Sequence, residues 1–258
     1  MKITFLGVSG ALSTEYNSNM LIEHDKYVML FDCGEDVMHS LKAAGRTPEE
    51  LSSVYISHLH FDHMGGLSWL GYYMYFVAKK RITLYIHESL VSDLWAMLRP
   101  AMEKIGGMPM MTLRDYFYIE AIKDDHFGFG MRPFGTSFQL VRQTHVETFH
   151  GNMYSYGLQG GEDNKDGWQF FISSDTKDLE IIRSHNMAFS TLPSIIFSDV
   201  DVMNLDGVHP NYNKLVTLDP GIKEKIWLYH YHGLGDKMPD AVADGFAGFV
   251  KEGQVFEV

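Results

Sequence analysis

Short apolar runs open the chain, each too brief for a helix and rich in residues that favour extended backbone. "KITFLGV", "NMLIEH" and "KYVMLFD" are divided by Gly, Ser, Asn and the charged turn "EHDK", which predicts three strands, the last two joined as a hairpin. The spacing then changes to that of a helix in "GEDVMHSLKAAG", with Val37, Leu41 and Ala44 on one face and Gly45 as its stop. In "TPEEL", Thr47 is an N-cap and Pro48 opens a helical turn that leads into the strand "SSVYIS". From Leu67 to about Lys123 the chain is aromatic and methionine-rich. Helical stretches are expected there, such as "LVSDLWAMLRPAMEKIG", broken at Pro100, with the strand "RITLYIH" between them. Beyond the glycine-rich turn region "GFGMRPFG" come the strands "SFQLVRQTH", "MYSYGLQ", "WQFFISSD" and "SIIFSDV". "PNYNKLVTL" predicts a short helix, "KEKIWLYHYH" a strand and "MPDAVADGFAGFV" a final helix.

Strands therefore dominate both halves, with helices interspersed. No repeat appears, and the one linker-like stretch, "GGEDNKDG", suits a hairpin loop. The expectation is one α/β domain over residues 1–258, two sheets packed face to face with helices outside, and a helical, aromatic insertion at about 68–120. Hydrophobic residues make up 45% of the chain and charged ones 21%, which excludes a disordered or fibrous protein.

Charge narrows the partners. The net charge is -12 and no basic run occurs, whereas a protein that grips a long polyanion offers lysines and arginines to displace phosphate counterions. No large nucleic acid is expected, while a small anionic substrate remains compatible if bound cations make one pocket positive. No apolar run reaches the ~20 residues of a membrane span, so no membrane partner is expected. "MKITFLGVSG" lacks the length and cleavage pattern of a signal peptide, and Cys33 is the only cysteine. A reducing, cytoplasmic location is the simplest expectation.

The chemistry concentrates in "SHLHFDHMGG". In extended backbone, residues two apart point the same way, so His58 and His60 can grasp one ion together. Asp62 and His63, where the chain turns into "MGG", can face a second ion beside it. Imidazole and carboxylate ligands suit zinc, with manganese or iron as alternatives.

"HLHFDH" resembles the His-x-His-x-Asp-His signature of the metallo-β-lactamase superfamily, and the resemblance runs along most of the chain. "FLGVSG" is similar to that family's first strand and turn, and "LFDCGED" to the segment whose aspartate supports the metal loop, which makes Asp32 an expected support. "QTHVET", ending a strand, resembles the next histidine ligand, "FISSDTK" the bridging aspartate and "WLYHYHG" the final histidine. The resemblance implies a four-layer αββα sandwich holding two divalent metal ions, zinc first and Mn2+ second. One site would use His58, His60 and His145; the other Asp62, His63 and His230, with Asp175 bridging. His232 competes with His230, which stands at the end of "KIWLY" where the family's last ligand emerges.

Two ions sharing a carboxylate and a water would yield hydroxide near neutral pH, the mark of a hydrolase. Asp62 belongs to that catalytic centre. "DGVHPNYNKL" resembles the element of the ribonuclease Z branch whose histidine assists the leaving group, which assigns that role to His209, oriented by Asp199 or Asp201. Phe61 gives "HLHFDH" a likeness to lactone-hydrolysing members, but the N-terminal segments and "GVHP" are closer to small-molecule phosphodiesterases. The expected activity is hydrolysis of a small nucleotide phosphodiester, a 3′,5′-cyclic mononucleotide above all, as in the relatives by which phages disarm pyrimidine cyclic-nucleotide defence. Lactone hydrolysis is the alternative, with tRNA 3′ processing and a non-catalytic binding module further behind. Such relatives are commonly homodimers, which places a partner contact in the 68–120 segment. "GYYMYF", with Tyr72, Tyr73, Tyr75 and Phe76, is expected in the core or an interface before a base-stacking wall.

Overall fold

The computed structural model describes residues 1–123, 126–128, 135–163, 165, 167–177, 192–203, 205, 207–233 and 235–258, the side chains of 126–128 and 236 excepted. Most of "GFGMRPFG" lies outside the described residues, as does His185.

The first sheet holds seven strands in the order β14-β1-β2-β3-β4-β5-β6: β1 Lys2–Phe5, β2 Met20–His24, β3 Tyr27–Phe31, β4 Ser53–Ile56, β5 Ile82–His87, β6 Phe117–Ile122 and β14 Val255–Glu257. The second runs β13-β12-β11-β10-β9-β8-β7: β7 His126–Gly128, β8 Thr136–Thr148, β9 Gly151–Glu162, β10 Phe170–Ile172, β11 Ile195–Asp199, β12 Ile226–Tyr229 and β13 Gly248–Phe249. Strands β3 to β6 run parallel to one another, and so do β10 to β13, so each sheet gathers several strand C-termini at one edge. Open α/β sheets bind ligands at such edges.

Period-two alternation sorts the side chains into layers. Phe31, Tyr55, Phe170, Ile172, Phe197 and Tyr229 meet between the sheets, together with Phe5, Phe138 and Leu158. On the other face of the first sheet Leu30, Val54, Ile56 and Leu84 point outward to α1 (Val37–Ala43), α3 (Leu67–Tyr72), α4 (Glu88–Met102) and α5 (Leu113–Tyr116). On the far side Phe171, Ile196 and Leu228 are covered by α6 (Tyr212–Leu215) and α7 (Pro220–Lys223) through Tyr212, Leu215 and Ile222. The result is a mixed α/β sandwich of four layers, αββα. Burying each large apolar side chain contributes about 1.5–3 kcal/mol, which is why both faces of both sheets are covered. No helix among the described residues is long and apolar enough to cross a membrane.

Several local expectations differ from the structure. The apolar face of α1 is Val37 with Leu41, joined by Ser40, while Ala44 is exposed at the helix C-cap. Helix α4 runs through Pro100, because the proline falls in its last turn and forfeits only one backbone bond there. Strand β5 stands where "RITLYIH" was expected, but β6 was not expected: its aromatic content hid its extended character. The stretch "MPDAVADGFAGFV" forms turns ending in β13 rather than a helix. There the Asp240 carboxylate takes the Ala243 N–H at 3.0 Å, and Gly245 and Gly248 adopt φ of 91° and 142°, values that no right-handed helix contains.

Tyr72, Tyr73, Tyr75 and Phe76 continue from α3 into a π-helical turn, Tyr73–Val77, and pack over the helical layer. Tyr72 and Tyr75 meet Tyr116 edge-on, and the Tyr73 hydroxyl donates to Glu49 at 2.6 Å. None of the four lines the cavity described below.

Candidate metal centre

The described cluster stands where the strand C-termini of the two sheets meet. Asp32 follows β3, and Ser57 to His63 follow β4, with Phe61–Met64 forming the one-turn helix α2. Across the seam, Asp175 follows β10, Asp199 ends β11 and His230 follows β12. His145 was expected at a strand end but lies inside β8, which continues to Thr148. The β8–β9 register breaks between Thr144 and Val146, leaving His145 without a partner on β9. Such bulges re-aim a side chain, here into the seam. Three of the turns are held in left-handed backbone at non-glycine residues, Asp32 (φ 59°), Ser174 (φ 55°) and His230 (φ 58°). Strain of this kind gathers at functional sites.

The structure brings all the expected ligand residues together in two overlapping groups. His58, His60, His145 and Asp175 form one; Asp62, His63, Asp175 and His230 form the other, so that the Asp175 carboxylate belongs to both. His58 Nε2 and His145 Nε2 lie 3.2 and 3.1 Å from His60 Nδ1, and His145 Nε2 lies 3.4 Å from Asp175 Oδ2. In the second group His63 Nε2 is 3.3 Å from both Asp62 Oδ2 and Asp175 Oδ1, and His230 Nε2 is 3.5 Å from Asp175 Oδ2. Ligand atoms that share one tetrahedral ion at about 2.0–2.1 Å stand about 3.3–3.4 Å apart, which matches these separations.

The tautomers give a stricter test of fit. Ser57 Oγ–H donates to Asp32 Oδ2 at 2.8 Å, so it accepts the proton of His58 Nδ1 at 3.0 Å. Ser18 Oγ–H donates to the Ser9 carbonyl, so it accepts from His230 Nδ1 at 3.1 Å. His145 Nδ1–H donates to the Val208 carbonyl at 3.2 Å, and His63 Nδ1–H to Asp32 Oδ2 at 2.7 Å. With every Nδ1 proton committed outward, the Nε2 lone pairs of His58, His63, His145 and His230 face the centre when these rings are neutral. Outward partners of this sort fix the tautomer of metal-ligating histidines. His63 Nε2 and Asp175 Oδ1 are buried with no hydrogen-bond partner among the described residues. A lone-pair cluster with orphaned buried atoms suits a bound cation.

Charge agrees with that geometry. Burial drives His58 well below the usual imidazole range and His60 below it, and takes His145 to about 4 and His230 to about 3. These rings are neutral at physiological pH, the form that binds metal. Burial opposes ionisation of Asp62, yet His63 and His230 hold it at about 2; burial is likewise overcome at Asp175 by His230, His63 and His209. Burial also disfavours charge on His63, but Asp175, Asp62 and Asp32 push it well above its ordinary value. Those three carboxylates require positive charge at that spot, which a divalent ion supplies as well as a proton does.

A third group continues from Asp175. His209 Nδ1 lies 3.0 Å from Asp199 Oδ2, and Asp199 also accepts from the Thr176 N–H at 3.0 Å and from Ser173 Oγ at 3.1 Å. Burial raises Asp199 to about 6; it also disfavours charge on His209, but Asp175 and Asp199 carry that ring to about 9. Asp201, the other residue considered for orienting His209, instead accepts the N–H groups of Met203 and Leu205 at 2.8 and 2.6 Å. His232 lines the cavity without joining either donor group. The strand ends at Tyr229, and left-handed backbone at His230 breaks the alternation that would put both rings on one face. Ser18, Ser57 and the Val208 carbonyl were missed in the sequence. Only Ser57, next to His58, carried a positional hint.

Over residues 1–256 the chain matches the family model described as anti-Pycsar protein Apyc1. The chain belongs to the Apyc1 family. An Apyc1 protein of Saccharibacillus brassicae is 34% identical over 260 residues, covering 100% of each chain. That of Bacillus phage 010DV004 is 29% identical over 264 residues, covering 99% of this chain and 98% of its own. Among solved structures, the metallo-β-lactamase fold protein YhfI from Bacillus subtilis superposes with a TM-score of 0.71 at 18% identity, covering 99% of this chain and 98% of its own. The chain thus has the metallo-β-lactamase fold. The cluster at its seam is a site for divalent metal.

The cluster opens into a cavity of about 1070 Å3. His60, Asp62, His145, Asp175, His209 and His230 line its floor, and residues 10–15, 200–203, 205, 207 and 208 form its walls.

Proposed function

We propose that the protein is a dinuclear metal-dependent phosphodiesterase that hydrolyses a 3′,5′-cyclic mononucleotide. The observation that carries this reading is the pair of donor groups sharing Asp175, with His209 held beside them by Asp199. The family name, anti-Pycsar, supports a cyclic-nucleotide substrate. Nitrogen-rich donors at these separations favour zinc, with manganese second.

His58, His60, His145 and Asp175 would hold one ion, and Asp62, His63, His230 and Asp175 the other. Bound there, the ions supply an activated water and draw charge from the phosphoryl oxygens. The chain's own contributions are separate. His209, whose Nδ1 lies 3.0 Å from Asp199 Oδ2, donates a proton to the leaving ester oxygen, and that contact keeps its ring turned to the floor. Asp32 and Ser57 hold the ligand rings in register. No lysine or arginine lines the described cavity, which supports a small anionic substrate over a long nucleic acid. Exposed Phe76, Val77, Met97 and Met110 support a homodimer through the 68–120 face, which sedimentation would test.

The test is turnover by the zinc- or manganese-reconstituted protein of a cyclic-nucleotide panel, bis(p-nitrophenyl) phosphate and a homoserine lactone. Cyclic-nucleotide cleavage is expected. Rapid lactone opening without phosphodiester cleavage would overturn the reading, and a metal-loaded protein inactive on every substrate would replace it with a binding module.

A further inference from the structure

Phe61 stands between two metal-binding positions, His60 and Asp62, on the one turn of α2. Its neighbours Asp62, His63 and Met64 are buried, yet Phe61 is 64% exposed. One exposed ring is ordinary on a protein surface, so its meaning depends on what it faces. A Cβ at Gly65 would come within 3.3 Å of Phe61 Cδ1, so that edge of the ring stands beside bare backbone. Its free surface lines the cavity above the donor groups.

What else lines that cavity decides what the ring can do. Histidines apart, Phe61 is the only aromatic residue among its described lining residues. Three other apolar side chains share the walls in exposed positions: Leu12 (91%), Met203 (49%) and Leu205 (70%). With no lysine or arginine in the lining, these apolar side chains stand beside polar ones such as Ser13, Thr14 and His232 as contacts for the uncharged part of the ligand.

We infer that Phe61 is the stacking platform for the substrate's base, and hence a residue that sets preference for nucleotides over other phosphodiesters. This rests on the phosphodiesterase reading above. A ring contact is tolerant of base identity, because every base offers a π face.

The experiment compares kcat/KM for a 3′,5′-cyclic nucleotide with that for the matching abasic cyclic ribose phosphate, in wild type, Phe61→Leu and Phe61→Tyr, with metal content measured for each. Phe61→Leu should lose about 5- to 150-fold on the cyclic nucleotide beyond any loss on the abasic compound, mostly in KM, and Phe61→Tyr should restore it. Equal loss on both compounds would mean that the ring merely positions α2, and no loss on either would mean that it faces water; both overturn the inference alone. A wild type that cleaves neither compound overturns the phosphodiesterase reading and this inference with it.

Discussion

Replacing Asp32 by Asn keeps the side chain's shape but removes its charge and one of its two acceptors. Both residues tolerate left-handed backbone, so the φ of 59° adds no strain to the comparison. In the wild type the carboxylate accepts the Ser57 N–H and Oγ–H, both at 2.8 Å, and His63 Nδ1–H at 2.7 Å, all out of contact with water. An amide keeps one acceptor and turns the other into a donor. If its oxygen stays on the Ser57 N–H, its NH2 meets the Ser57 hydroxyl and the His63 Nδ1 proton. Relief requires His63 to move its proton to Nε2, the nitrogen 3.3 Å from Asp62 and Asp175. That tautomer cannot bind metal. Loss of such an outer partner costs about 10- to 100-fold in metal affinity, or about 1.4–2.7 kcal/mol. Competition of the protein with a chromogenic zinc chelator measures it directly. The loss should fall mainly on the ion held by His63, so titration should separate into a strong and a weakened step. Two steps unchanged within about twofold would refute the tautomer argument.

His209→Ala should slow substrates with poor leaving groups more than those with nitrophenolate, read as the slope of log kcat against leaving-group pKa; equal slowing would remove the proton-donor role. In Gly10→Ala the new Cβ would lie 3.0 Å from His230 Nε2, so bound metal per chain should fall while the melting temperature of the metal-free protein changes little; full metal occupancy would show that the loop yields. Burial raises the Glu23 carboxyl, but hydrogen bonds from Arg46 and Lys2 bring it below its ordinary 4.5. A depressed folded value adds stability above the unfolded pKa and loses it as pH falls through the folded one, so Glu23→Gln should flatten the acid limb of a melting-temperature profile below about pH 4.5. An unaltered limb would place the acid transition elsewhere.

The first sheet was legible because each of its early strands is an apolar run closed by Gly, Asn or Asp. Strand β6 was not, since "FYIEAI" is aromatic enough to continue the helical reading before it. The positions in "HLHFDH" were readable from local spacing, whereas Asp175 and His230 rested on the resemblance of "FISSDTK" and "WLYHYHG" to the family's later segments. His145 was expected at a strand end and lies within β8 instead: a bulge is a property of pairing with β9, invisible in either strand alone. Ser18 was hidden for a similar reason, since its bond to His230 joins residues 212 apart and serine is common in turns. The missing final helix shows propensity yielding to glycine backbone and an aspartate that competes for the N–H groups.

His58, His60, Asp62 and His63 hang from one sheet, while His145, Asp175 and His230 hang from the other. A cation shared across that divide works as a rivet, and the free energy of its capture is spent partly on closing the sandwich. Metal starvation should then loosen the joint before it unravels either half. Amide exchange along the tips of β4, β10 and β12 would register that loosening while the outer helices stay protected.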